Sequence, residues 1–305
     1  MKAAPFGYVR PSTVDEAVAE LADSDGQGKV LAGGQSLVPI LAMRLARPAL
    51  LVDINAIAGL DEVSLDGGML SVGAAVRQRR VEHDEHAASV PLLGLALPWV
   101  GHRELRSRGT VCGSLAHADP AAELPAVAAC LDAVLEVAGP SGRRTLPARE
   151  FFTGAMTTRL GPDELLVRAS FPVAAPGEGF GFAEIARRHG DFALAGVAVR
   201  VRWSPREAVV AAFGVSDRPV VRDVTELCAA GDTTPAARIA EALDRPLTAL
   251  AAEIVDTAGD AHGSPGYRRR LVAVLAAQEL TQALCAARNH AAGPGGRAPG
   301  GPDDG

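Results

Sequence analysis

Apolar residues recur at helical spacing directly after Thr13-Val14-Asp15-Glu16, which has the form of a capping box. Val14, Ala17, Val18 and Leu21 share one face, predicting an amphipathic helix over 14–22. The pattern then shortens. Val30-Leu31-Ala32 meets Gly33-Gly34 and a second apolar segment at 37–45, which reads as strand, glycine turn and short helix. Ala49-Leu50-Leu51-Val52-Asp53-Ile54 is brief and almost wholly apolar, as buried strands are. Residues 62–76 read as a hairpin turned at Asp66-Gly67-Gly68. Helical stretches at 79–88 and 91–102, a loop at 109–120 and a helix at 121–130 follow. A second hairpin joins 133–138 to 143–146 through Pro140-Ser141-Gly142, and 165–173 forms a strand.

Ala174-Ala175-Pro176-Gly177-Glu178-Gly179 is turn-rich, with little apolar bulk, and marks a boundary. Beyond it lie strands at 180–185, 192–203 and 208–215, then helices at 235–243 and 267–288. Strands first and helices later predict an α+β layer. Residues 291–305 are mostly Gly, Pro, Ala and Asp and are expected to form a disordered tail.

Composition narrows the classes. The 305 residues are 48% hydrophobic and 22% charged, enough for two soluble domains. A net charge of −6 argues against a general nucleic-acid binder. Lys2 and Lys29 are the only lysines, a skew that fits coding bias better than function. No apolar run of about 18 residues predicts a membrane span. The first residues lack the apolar stretch of a secretory signal, so a cytoplasmic chain is expected. Cys112, Cys130, Cys228 and Cys285 are scattered without metal-site spacing or a disulfide framework. No metal site is expected on this chain, and any metal centre it works with lies on another.

Two segments carry candidate chemistry. In Ala32-Gly33-Gly34-Gln35-Ser36-Leu37 the paired glycines let backbone N–H groups approach an anion, and Ser36 adds a hydroxyl. The following helix N-terminus adds a favourable dipole. Alone, this segment is equally a ligand-free turn; it is neither a G-x-G-x-x-G fingerprint nor a Walker loop. Arg108-Gly109-Thr110-Val111-Cys112-Gly113-Ser114-Leu115-Ala116 again joins glycine to hydroxyl donors, expected outside regular structure. It leads through His117-Ala118-Asp119-Pro120 to Glu123. Two neutral, donor-rich segments suit the pyrophosphate of a dinucleotide, or are two unrelated turns.

Other candidates rank lower. His83 and His86 sit among Glu82, Asp84 and Glu85, which is more simply a solvated helix face than a metal site. Arg103, Arg106 and Arg108 either steer phosphate or pair with nearby acids. Arg187-Arg188-His189-Gly190-Asp191 reads as a clamp between domains, and Glu178 and Glu184 form no carboxylate pair by spacing. Tyr267-Arg268-Arg269-Arg270 opens a helix that meets either a partner or solvent. No nucleophile or acid–base pair stands out, so no catalytic residue is assigned.

The chain resembles the FAD-binding medium subunit of the molybdenum hydroxylases, the group that includes carbon monoxide dehydrogenase and xanthine dehydrogenase. The resemblance spans 6–288. It rests on Phe6-Gly7-Tyr8-Val9-Arg10-Pro11, the Ala-Gly-Gly-Gln-Ser-Leu turn, Leu51-Val52-Asp53-Ile54 and Arg106-Ser107-Arg108-Gly109-Thr110. Asp119-Pro120-Ala121-Ala122-Glu123, Arg187-Arg188-His189-Gly190-Asp191-Phe192-Ala193 and Tyr267-Arg268 extend it. It implies an α+β fold: a two-part FAD-binding domain of the PCMH type over 1–175, split near 55–60, then a smaller C-terminal domain over 178–290. It implies FAD contacts from Ala32, Gly33, Gly34, Gln35, Ser36 and Leu37, and from Thr110, Val111, Cys112, Gly113 and Ser114. Glu123 would accept hydrogen bonds from the ribityl chain or flavin, with Leu165, Leu166 and Phe182 near the ring. Cys112 stands where the family usually has glycine, Ser107 replaces a common Asn, and Phe182-Ala183-Glu184 lacks a frequent Tyr and Lys.

The resemblance further implies electron transfer from [2Fe-2S] clusters on a small subunit, with a molybdenum cofactor on a large subunit, in a dimer of heterotrimers. Related flavin oxidases tether FAD through a His in the first turn; Gln35 stands there, so FAD would be non-covalent. The alternatives are a self-contained flavin oxidase or dehydrogenase, and a scaffold that has lost FAD.

Overall fold

The computed structural model describes residues 2–228 and 234–292. The first sheet is parallel, in the order β1 (Gly7–Val9), β3 (Leu50–Asp53), β2 (Gly28–Leu31). α1 (Val14–Asp23) links β1 to β2, and α2 (Leu37–Ala42) links β2 to β3. The hydroxyl of Thr13 accepts the Glu16 N–H at 3.1 Å, capping α1, while the Glu16 carboxylate reaches back to Ser12. Ala17, Val18 and Leu21 form its buried face.

A second, antiparallel sheet runs β4 (Val63–Asp66), β5 (Met69–Gly73), β10 (Leu165–Pro172), β6 (Val134–Gly139), β7 (Gly142–Pro147). The β4–β5 turn falls on Gly67 and Gly68, both at positive φ, as a tight hairpin requires. Between β5 and β6 lie α3 (Gln78–His83), α4 (Pro91–Ala96), α5 (Arg103–Arg106), α6 (Val111–His117) and α7 (Glu123–Leu131). After β7 come α8 (Ala148–Phe151) and the small β8 (Phe152–Gly154) and β9 (Thr157–Thr158) pair.

The second half is an antiparallel sheet in simple order: β11 (Glu178–Ile185), β12 (Ala195–Arg202), β13 (Glu207–Phe213) and β14 (Val220–Asp223). α9 (Ala236–Ile254) and α10 (Pro265–Ala292) cover one face. Val197, Val199 and Val201 point to these helices. Ala198, Ala211, Phe182 and Phe213 point the other way, into the core of the first half. A sheet buried on both faces needs near-continuous apolar strands, which β12 and β13 have. α7 is the common wall: all nine of its residues are buried.

Three expectations are corrected. The segment expected as a loop at 109–120 contains α6, because Thr110 caps the Gly113 N–H at 3.0 Å and Val111, Cys112 and Leu115 bury one face. The helix expected at 235–243 runs to Ile254. Pro246 reads as a stop, yet Leu247, Ala251 and Ile254 continue the buried stripe in phase. The tail expected from 291 begins after α10, which extends to Ala292; residues 293–305 lie outside the described residues.

Leu124, fully buried in α7, tests the shared wall. Leu124→Ala is expected to lower stability by about 2–5 kcal/mol in chemical denaturation, through the cavity it leaves. A loss below about 1 kcal/mol would contradict the central position of α7.

Candidate functional site

The first glycine segment leaves the C-terminal end of β2, where open sheets with parallel strands place their ligands. Gly34 has φ +72°, which favours glycine. The backbone N–H groups of Gly33, Gly34, Gln35 and Ser36 have no acceptor among the described residues. Four adjacent free donors make a concave anion cradle.

The second segment closes against the first. A Cβ on Gly33 would overlap the Arg108 carbonyl oxygen and come within 2.7 Å of the Gly109 Cα. Only glycine permits that approach. A Cβ on Gly113 would lie 4.0 Å from the Ala32 Cβ, so Ala32 and Gly113 are neighbours as well.

A polar brace fixes both segments from beneath. The Tyr8 hydroxyl donates to Asp53 Oδ2 at 2.5 Å, and Asn55 Nδ2 donates to Asp53 Oδ1 at 2.6 Å and to the Ala32 carbonyl at 2.9 Å. The Arg77 guanidinium donates to Asn55 Oδ1 and to the Arg108 carbonyl, each at 2.7 Å. The Arg77 backbone bridges to Thr110, and the Gln78 N–H donates to the Gly109 carbonyl at 2.8 Å. Burial works to raise the Asp53 pKa, but the hydrogen bonds from Tyr8 and Asn55 outweigh it and hold the carboxyl below its usual range. Burial lowers the Arg77 pKa, and the Arg108 charge lowers it further.

Of the residues singled out in the sequence, Ala32, Gly33, Gly34, Thr110 and Gly113 come together here. Gln35, Ser36 and Leu37 continue the first segment into α2, with Ser36 exposed. Ser114 is half-buried on α6 and Val111 lies in the core. Cys112 does not turn its thiol towards the cradle. It is 2% exposed, its Sγ faces the Val72 carbonyl at 3.5 Å, and burial pushes its pKa up to about 12. Leu165 and Leu166 are core residues of β10, and Phe182 stacks on Phe213 with ring centroids 5.7 Å apart. Arg106 is no phosphate guide: it is buried, forms a two-point ion pair with Glu82 and donates to the carbonyls of Val100 and Gly101. Arg103 and Arg108 are exposed.

Glu123 opens α7 and is buried; burial pushes its pKa up to about 7, and the charge of Asp119 adds to the rise. Glu184, on β11, is 4% exposed. Neither of its carboxyl oxygens has a hydrogen-bond partner among the described residues. Burial pushes its pKa up to about 8, helped by the charge of Glu123. Glu178, by contrast, pairs with Arg202. The loop after β11 packs on the end of the first half: His189 meets the Trp99 ring at 5.2 Å, Gly190 approaches His102, and Phe192 leaves its ring exposed.

Sequence reasoning missed Asn55, Arg77 and the Glu123–Glu184 proximity. For Asn55 a signal existed: a polar residue just past the C-terminal end of a strand parallel to β2.

Residues 4–174 match the family model for the FAD binding domain in molybdopterin dehydrogenase, and 180–283 match that for the CO dehydrogenase flavoprotein C-terminal domain. The chain belongs to the FAD-binding medium subunits of the molybdenum hydroxylases. It is 40% identical to caffeine dehydrogenase subunit beta of Pseudomonas sp. (strain CBB1) over 76% of each chain. It is 34% identical to the 6-hydroxypseudooxynicotine dehydrogenase complex subunit alpha of Paenarthrobacter nicotinovorans, over 94% of this chain and 97% of that one. Carbon monoxide dehydrogenase from Hydrogenophaga pseudoflava lacking the Mo-pyranopterin moiety superposes with a TM-score of 0.86 at 31% identity, over 93% of this chain and 99% of that chain.

The medium-subunit residues fit FAD. The four free amides and the Gly33 contact suit a diphosphate without lysine, and the unpartnered Glu184 oxygens suit a donor-bearing group at the seam. Among the described residues there is no cluster that could hold a metal ion, and no helix is long and apolar enough to cross a membrane.

Replacing Arg77 tests the brace. Arg77→Met is expected to cost about 1–3 kcal/mol and to speed amide exchange in both glycine segments together. Faster exchange in one segment alone would show that Arg77 does not couple them.

Glu123 and Glu184 also set a pH dependence. Both titrate higher in the folded chain than when unfolded, so the folded state binds more protons from the ordinary carboxylate range up to about 8. Their contribution is therefore full in acid and is lost as pH rises through 7 and 8. Glu184→Gln is expected to raise Tm over the parent by about 4 °C or more at about pH 9 and hardly at all at about pH 5. An equal shift at both pH values would show that Glu184 is not buried as a neutral acid.

Proposed function

We propose that this chain holds FAD non-covalently and relays electrons from an iron–sulfur partner to an external acceptor. The contact of Gly33 with Arg108 and Gly109, beneath four free amides, carries the reading. The pyrophosphate would lie on the amides of Gly33, Gly34, Gln35 and Ser36, between Ala32 and the Thr110–Gly113 side, with Leu37 and Ser114 at the margin. Glu123 would accept hydrogen bonds from the ribityl chain or flavin. Leu165, Leu166 and Phe182 would form the apolar packing behind the ring, with Val111 and Cys112 contributing main chain alone. FAD, when bound, supplies one- and two-electron chemistry. The residues of this chain bind it, orient it and exclude water.

The division at 175–178, with a further split near 55–60, belongs to the same proposal; the three main sheets, each complete within one part, support it. Partner chains are an iron–sulfur small subunit and a molybdenum large subunit, as a dimer of heterotrimers. Relatives named as subunits of caffeine dehydrogenase and of a 6-hydroxypseudooxynicotine dehydrogenase complex support an assembly of this kind. The substrate then belongs to the large subunit.

The full chain is expected to bind one FAD after reconstitution, and Gly33→Val to weaken that binding by about 100-fold or more, because the new side chain separates the two segments. Rapid mixing with a reduced iron–sulfur partner is expected to bleach the flavin absorbance. Bleaching by an organic substrate in the absence of partners would instead identify a self-contained flavin enzyme, and a correctly folded chain that takes up no FAD would identify a scaffold.

A further inference from the structure

Glu184 is the one residue whose buried side-chain polar atoms have no hydrogen-bond partner among the described residues. Such groups are rare because an unpaired buried polar atom is destabilising, and a carboxyl with neither oxygen paired is more so. Its direction follows from strand geometry. On β11, Phe182 and Glu184 share a face, and Phe182 belongs to the core of the first half. Ala183, on the alternate face, packs with the helical layer. Glu184 therefore leaves the second domain and points across the seam, towards the start of α7.

Glu184 pairs with Gly196, Gly196 with Phe213, and the Gly214 N–H donates to the Pro120 carbonyl just before α7, where Glu123 stands, also buried, its charge opposing ionisation of Glu184. The surrounding charges do not neutralise the pair. The Arg106 charge lowers the Glu123 pKa, but its guanidinium is committed to Glu82 and to the carbonyls of Pro98, Val100 and Gly101, and Asp119 adds a negative charge. α4, which packs on β11, has no titratable residue, and Gly196 of β12 lies opposite Glu184. Glu279 of α10 meets the other side of β11, at Gly181. Two carboxyls converge without a basic partner, so their complement is a group bearing N–H or O–H donors.

Resting on the FAD reading above, the structure assigns Glu184 as a second-domain binding residue for the flavin end of FAD: with Glu123 it forms a two-carboxyl clasp for the polar hydrogens of the ribityl chain or of the isoalloxazine ring. Nothing in the glycine cradle can do this, because its donors match phosphate oxygens and not polar hydrogens. The clasp also requires both domains, so the flavin end would be gripped only when β11 is docked on α4 and β12 and β13 on α7.

The test uses the full chain, with FAD and with ADP, which shares the adenosine diphosphate but lacks ribityl and flavin. Glu184→Leu is expected to weaken FAD binding by about tenfold or more while leaving ADP binding unchanged. Its thermal stability without ligand should rise at about pH 9, opposite in sign to the loss of affinity; a purely structural role would move both the same way. Glu184→Gln keeps hydrogen-bonding capacity and should bind FAD within about threefold of the parent. At about pH 9, where Glu184 is ionised, loss of its negative charge should make the midpoint potential of the flavin more positive than the parent's. Unchanged FAD affinity in Glu184→Leu, an equal loss of ADP affinity, or an unmoved potential in Glu184→Gln at about pH 9 would each overturn the assignment. Failure of the parent chain to bind FAD at all would overturn the underlying reading instead.

Discussion

The approach of Gly33 to the Arg108–Gly109 backbone is the constraint on which the candidate site depends. It brings together segments about 75 residues apart in sequence, one after β2 and one between α5 and α6, at a distance that only an absent side chain permits. Such closeness has no attraction of its own. It is held by the brace, in which Asn55 takes the Ala32 carbonyl and Arg77 takes the Arg108 carbonyl while bonding Asn55. Main-chain carbonyls are thus turned down into the brace, and the amides of Gly33 to Ser36 keep their donors free. The polarity of the cradle is a consequence of where its carbonyls are bound.

The division of labour between the halves follows from burial. The parallel sheet and α6 supply the cradle, and α7 joins that region to the C-terminal sheet, at β12 and β13, through a wall with no solvent-facing residue. Because Phe182, Ala198, Ala211 and Phe213 belong to the core of the first half, the C-terminal domain is not a loose appendage. Its sheet is a shared layer between two sets of helices. A side chain on that layer can therefore reach cofactor territory at a fixed position, whereas the same residue on a flexible linker could not.

Much of this was legible in the sequence. The apolar runs marked most strands, and glycines beside hydroxyl donors marked both segments. The failures share one cause, in which a local signal was overridden by its tertiary setting. Gly113 reads as a loop residue, yet as the third helical position of α6 it meets the Thr110 hydroxyl and lets the cap form. Pro246 reads as a helix stop, yet the stripe through Leu247, Ala251 and Ile254 continues. Cys112 reads as an intrusion into the cofactor loop because a loop has no inside; once α6 is a helix, its position beside Val111 places it on the buried face. Arg77 and Asn55 carry no motif, and their pairing appears only when β3 is laid beside β2.

Glu184 shows the limit of spacing arguments most clearly. In sequence its nearest acidic neighbour on the same strand is Glu178, which is bound by Arg202 and has nothing to do with it. Its true neighbour, Glu123, lies on another domain, and the two meet only through the docking of β11 on the first half. A chain selected for stability alone would fill this position with an apolar residue, as it does at Phe182 on the same face. Retaining two buried acids without a basic partner opposes folding at neutral pH, and a bound donor group would offset that opposition. The stability of the seam and the affinity for the flavin end are then two readings of one electrostatic imbalance, and a substitution that relieves it should move them in opposite directions.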